Sequence, residues 1–151
     1  MEDIRPLLEK VFADVLEKFA FMFSESVTPS DFFMDAPPFY RATISFSGPR
    51  QGTLSIAASG KFCNLLSTNI LGEEEGSAPE AQACDSLKEL LNVTCGEFLE
   101  KLSGPQVIYN LSVPDAVSWT QNQMQALADS DKAILLLVDN APIILQGEIK
   151  K

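Results

Sequence analysis

The sequence predicts an α/β fold of the α+β kind, a two-layer sandwich in which a largely antiparallel sheet packs against long helices. Three observations carry this. Residues 39–59 and 133–149 each hold two short apolar runs around turn-forming residues, the pattern of β-hairpins. Residues 3–23 and 80–103 repeat apolar side chains at helical spacing. The order helix, two strands, helix, long helix, strand, two strands runs through 151 residues without a repeat or linker, so one domain over 1–151 is expected.

The first helix is predicted over 3–23. Ile4, Leu8, Val11, Val15, Phe19 and Met22 form one apolar row, and Leu7, Phe12, Leu16 and Phe23 a second. Ser24–Pro38 reads as an irregular connection with one short strand. Tyr40, Ala42, Ile44 and Phe46 alternate, Gly48–Gly52 makes the turn, and Leu54, Ile56 and Ala58 alternate again. Gly60–Leu71 is a short helix that Gly72 stops, and Glu73–Gly76 is a solvated loop. Ser77 as cap, Pro79 in the first turn and Glu80 at the capping-box position start a helix that runs to Ser103. Gly104-Pro105 ends it. Val107, Tyr109 and Leu111 alternate in a strand ending near Pro114, whereas residues 118–132 are polar and show no clear period. Ala133–Val138, the turn Asp139–Pro142 and Ile143–Ile149 form a second hairpin, placed centrally in the sheet.

Composition excludes several functions. The net charge of −10 makes nucleic acid and anionic membranes poor partners. There is no histidine, which removes the commonest general base and transition-metal ligand. Serine and threonine therefore have no triad base, and Gly48–Gly52 lacks the lysine of a phosphate loop. Three cysteines, Cys63, Cys84 and Cys95, fall in apolar helical faces and read as buried reduced thiols. No leader-like segment or apolar run of membrane-spanning length is present, so a cytoplasmic protein is the expectation.

One pattern looks like chemistry. At about 100° per residue, Asp85, Glu89, Asn92 and Gly96 share a narrow stripe of the long helix. Cys84, Leu87, Leu91, Cys95, Phe98 and Leu102 gather opposite. A polar helical face is ordinarily a solvated one. Yet glycine costs about 1 kcal/mol against alanine within a helix, and asparagine is a middling helix former. A wet face needs neither; a face approached closely by a partner, or packed against a second helix, accounts for the glycine.

Asp85-x-x-x-Glu89-x-x-Asn92, followed by Gly96 and by Pro114 after a strand, resembles the signature of the CheC/CheX family of chemotaxis phosphatases. The 21 residues between Asn92 and Pro114 are slightly fewer than that family's usual spacing. Ile44–Gly48 with Gly52–Leu54 resembles the family's first hairpin, and Leu65–Glu73 its short helix. Only one Glu-x-x-Asn motif is present, the CheX-like arrangement within a CheC-like fold.

The resemblance implies hydrolysis of the phosphoryl-aspartate of a CheY-type response regulator in two-component signalling, with Glu89 and Asn92 as catalytic residues. Asn92 orients the attacking water and Glu89 engages a lysine of the regulator. Asp85, Gly96 and Pro114 are then partner-binding residues. The chain needs no cofactor and binds no metal of its own, since the regulator brings Mg²⁺. A homodimer formed through the sheet is also implied. The alternative expectation is a non-catalytic, flagellar-switch-like module that binds a response regulator without hydrolysing it.

Overall fold

The computed structural model of the chain describes residues 3–72 and 80–150. Among these residues four α-helices and seven strands occur: α1 (Arg5–Val15), β1 (Ser24–Ser26), β2 (Phe39–Ser47), β3 (Gln51–Ser59), α2 (Gly60–Leu71), α3 (Glu80–Ser103), β4 (Asn110–Leu111), β5 (Asp115–Trp119), α4 (Gln121–Ala128), β6 (Ile134–Val138) and β7 (Ala141–Lys150). The strands form one sheet in the order β1-β6-β7-β3-β2-β4, with β5 also on β2, and every pairing is antiparallel. The predicted α+β sandwich is the fold observed.

The hairpins follow from their turns. Strands β2 and β3 pair from Phe39↔Ser59 to Phe46↔Gly52. Gly52 has to be a glycine, because a Cβ there meets the Glu148 carbonyl oxygen of neighbouring β7. Between β6 and β7, Asp139 and Asn140 take φ of 50° and 66° and make a two-residue turn. Pro142, expected in that turn, instead lies in β7 opposite Leu137. β7 is central, between β3 and β6, while β6 has only the short β1 outside it.

Helices α1, α2 and α3 cover one face. From β2, Tyr40, Ala42, Ile44 and Phe46 meet Leu8, Phe12 and Leu16 of the first helix and Leu87, Leu91 and Phe98 of α3 in one buried cluster. Each such large apolar side chain contributes about 1.5–3 kcal/mol on burial. Helix α2 matches its predicted bounds. Ser59 caps it by accepting from the Phe62 N–H at 3.3 Å and donating to Asp35 Oδ2 at 2.8 Å. Gly72, at φ 71°, ends it with its N–H on the Thr68 carbonyl.

Three expectations change. The first helix stops short of residue 23: α1 passes into a π-helical turn over Leu16–Ala20, and Phe21 takes the left-handed conformation at φ 56°. Met22 is still buried but in extended chain, whereas Phe21 and Phe23 are exposed. Residues 118–132 are structured, completing β5 and forming α4. Thr120 and Gln123 close a capping box there, with the Gln123 N–H on Thr120 Oγ1 at 3.1 Å and the Thr120 N–H on Gln123 Oε1 at 2.8 Å. Met124 and Ala128 of α4 form a small second core with Phe39, Ala57, Leu135 and Ile144 on the other sheet face. The expected cap at Ser77 with Pro79, and the Glu73–Gly76 loop, lie outside the described residues, as does the Glu80 side chain.

Candidate functional site

Helix α3 is 24 residues long, about 36 Å at 1.5 Å per residue, and packs on α1, α2, β2, β3 and β5. So many neighbours bury a wide arc: Ala83, Ser86, Leu87, Leu90, Leu91, Thr94, Cys95, Phe98 and Leu99. Thr94 is satisfied there by donating its hydroxyl to the Leu90 carbonyl at 2.7 Å. Cys84 and Leu102, placed on the apolar face by their spacing, are only partly buried.

What remains outside is the stripe. Asp85, Glu89, Asn92 and Gly96 are all exposed, opposite the centre of the buried arc, as their spacing predicts. Lys88 Nζ reaches Asp85 Oδ1 at 3.2 Å, one turn along the same helix. Glu89 and Asn92, three residues apart, carry Cβ atoms about 5–6 Å from each other. A carboxylate and a carboxamide thus stand side by side on a rigid element. Together they offer acceptors for a cation and both donor and acceptor for water.

Gly96 has an informative environment. A Cβ added there meets nothing within 4 Å, so packing of the chain against itself does not require the glycine, and a close-packed second helix is not its cause. Gly104 differs, since it ends α3 at φ 97°, where a side chain is strained.

Pro114 stands apart from the stripe. It is half-buried in the link between β4 and β5, immediately before β5 begins; the chain was expected to leave the sheet here. Ser112 bridges this break, accepting at Oγ from the Ser45 N–H at 2.9 Å and donating its own N–H to the Ser45 carbonyl at 2.9 Å. Pro114 therefore opens the edge strand on which α3 packs.

Sequence reasoning missed a groove beside the stripe, about 230 Å³ in volume, bordered by Gly96, Leu99, Glu100, Val107, Tyr109 and Leu111. The segment after α3 folds back to make it. The Tyr109 and Ser103 hydroxyls are 2.7 Å apart, and the Tyr109 ring meets Phe46 edge-on at 5.9 Å. The alternation of Val107, Tyr109 and Leu111 was the available signal. The ladder, however, begins only at Asn110, which leaves Val107 and Ile108 exposed.

Among the described residues, no three His, Cys, Asp or Glu side chains gather to hold a metal ion, and no helix is long and apolar enough to cross a membrane. The thiols are not nucleophiles: burial pushes Cys95 up to about 12 and Cys63 further.

A search of curated protein sequences finds no match. Solved structures do match. Chemotaxis protein CheX from Vibrio vulnificus superposes with a TM-score of 0.73 at 13% identity, covering 99% of this chain and 97% of that one. A CheC-like superfamily protein from Shewanella sp. PV-4 gives 0.70 at 20% identity over the full length of both. The CheX-CheY-BeF3-Mg²⁺ complex from Borrelia burgdorferi gives 0.68 at 14% identity over 99% of both. At these identities the likeness is one of fold, and the fold is that of the CheC/CheX class of chemotaxis proteins. The profile of one family, described as Chemotaxis phosphatase CheX, matches residues 40–137, more than half of the chain. The chain belongs to the CheX family.

Proposed function

We propose that this protein hydrolyses the phosphoryl-aspartate of a CheY-type response regulator, with Glu89 and Asn92 as its catalytic residues. The observation that carries the reading is the pairing of these two exposed side chains, one turn of helix, on the stripe that α3 leaves uncovered. Family membership supports the reaction class. The related Borrelia complex supports the partner, since there a CheX is bound to a CheY with BeF3 and Mg²⁺.

The chemistry suits a site without histidine. Water attacks phosphorus, the bond from phosphorus to the carboxyl oxygen breaks, and aspartate and inorganic phosphate are released. A carboxylate is already a good leaving group, so the task is mainly positioning and charge stabilisation. The Asn92 amide orients the water by donating to it and accepting from it. Glu89 pairs with the lysine beside the receiver's phosphoryl group and fixes the register of the two proteins. The receiver brings Mg²⁺. Asp85, held by Lys88, and Pro114, at the start of β5, are contacts at the rim. We also propose a homodimer through the sheet. Edge strand β5 pairs only with β2, and Val117 and the neighbouring Val113 are exposed beside its open edge.

The test is phosphate release from a phosphorylated CheY-type receiver in Mg²⁺, with and without the protein. Acceleration that disappears in folded Asn92→Ala and Glu89→Ala supports the reading. Tight binding without acceleration supports the non-catalytic module instead.

A further inference from the structure

The groove beside Gly96 continues the stripe towards the C-terminal end of α3. At 1.5 Å per residue, Gly96 lies about 6 Å along the axis from Asn92 and Glu100 about 12 Å, so the groove begins one turn beyond the proposed reacting amide. Its walls are Leu99, Tyr109, Leu111 and Val107, with Glu100 at the lip. Val107 and Leu111 are each 37% exposed, although both are apolar. At about 230 Å³ it is smaller than the ~300–1,000 Å³ of a small-molecule site, and a single side chain suits it better. The missing Cβ of Gly96 keeps the groove open, and nothing within the chain would fill that space.

We infer that this groove is the specificity pocket for the response regulator, taking one apolar side chain from the receiver surface next to a lysine or arginine. The inference rests on the proposed function. Two features select this occupant. Gly96 belongs to both the reactive stripe and the groove, so a receiver seated over Glu89 and Asn92 extends over it. The exposed acids on the same side, Glu89 and Glu100, complement a cationic neighbour of the inserted side chain and are unlike the surface of a second copy of this acidic chain, with its net charge of −10. An apolar anchor in a pocket rimmed by charge is the usual form of an interface hot spot.

The test uses a panel of CheY-type receivers phosphorylated with acetyl phosphate in Mg²⁺, assayed with wild type, Val107→Glu, Leu111→Glu and Gly96→Leu. For the receiver that wild type dephosphorylates fastest, each substitution is expected to raise KM about tenfold while leaving kcat within about twofold. Gly96→Leu is also expected to raise Tm, because it removes a helical glycine at a position with open space, so its weaker binding cannot come from misfolding. Unchanged KM in all three variants, with wild type active, overturns the pocket and leaves the proposed function standing. A shift from dimer to monomer with KM unchanged overturns it too, by making the groove a contact between copies. Wild type inactive on every receiver overturns both readings.

Discussion

Lys88 holds Asp85 at 3.2 Å on the outer face of α3, one turn before Glu89. This ion pair divides the stripe: Asp85 is engaged with its own helix, whereas Glu89 and Asn92 face outward. The Asp85 side chain is 71% exposed, so the pair contributes little to stability. Asp85→Ala is therefore expected to cost at most about 0.5 kcal/mol. It should also change phosphate release far less than either Glu89→Ala or Asn92→Ala. Thermal unfolding and the release assay on the three variants check this.

The capping box of α4 makes a separate prediction about stability. Thr120→Ala removes the acceptor for the Gln123 N–H and should cost about 1 kcal/mol, or about 2–4 °C in Tm for a domain of this size. Activity should be unchanged, because α4 packs on the sheet face opposite α3. Parallel melting curves and release rates test both halves of this statement.

Much of the architecture was legible in the sequence, and the failures have local causes. Helix α2 could be bounded because Ser59 and Gly72 mark its ends with side-chain and backbone chemistry that depends on no distant contact. Strand β5 was missed because it lies at the sheet edge. Asp115, Val117 and Ser118 are all exposed there, so no apolar alternation marks it. Helix α4 buries only Met124 and Ala128 of its eight residues, and the Thr120-x-x-Gln123 box was the signal to read. The left-handed Phe21 that turns the chain out of the first helix runs against the preference of a bulky residue, which no local pattern announces.

The site divides in the same way. Asp85, Glu89, Asn92 and Gly96 could be grouped because helical periodicity alone puts them on one face. The groove beside them depends on residues 104–111 folding back along α3, a tertiary event. Pro114 could be read as a break in the chain; that a strand starts after it could not.

The buried thiols give a pH dependence. Cys95 ionises near 9 in the unfolded chain and near 12 when folded. Below pH 9 it is protonated in both states and costs nothing. As pH rises from about 9 towards 12 the unfolded chain loses the proton first, so stability falls across that window. Cys63 acts in the same direction. Urea titrations at pH 8 and pH 10 should show the loss, and Cys95→Ala should reduce it. In the native protein at neutral pH, Cys63 and Cys95 should also resist thiol reagents until denaturant is added.

The open edge of β5 predicts the oligomeric state. Val117→Lys places a charge on an exposed edge residue and should shift the proposed dimer to monomer without lowering Tm by more than a few degrees. Light scattering against concentration measures it. A wild type that stays monomeric throughout contradicts the dimer.

The most direct test of the central claim is multiple turnover. A CheY-type receiver is held phosphorylated in Mg²⁺, and phosphate release is followed with the protein at substoichiometric concentration. Wild type should accelerate release and act repeatedly. Asn92→Ala should still bind the beryllofluoride-loaded receiver, keep its Tm, and lose about 10²-fold or more of the acceleration. An Asn92→Ala variant that releases phosphate as fast as wild type would contradict the account.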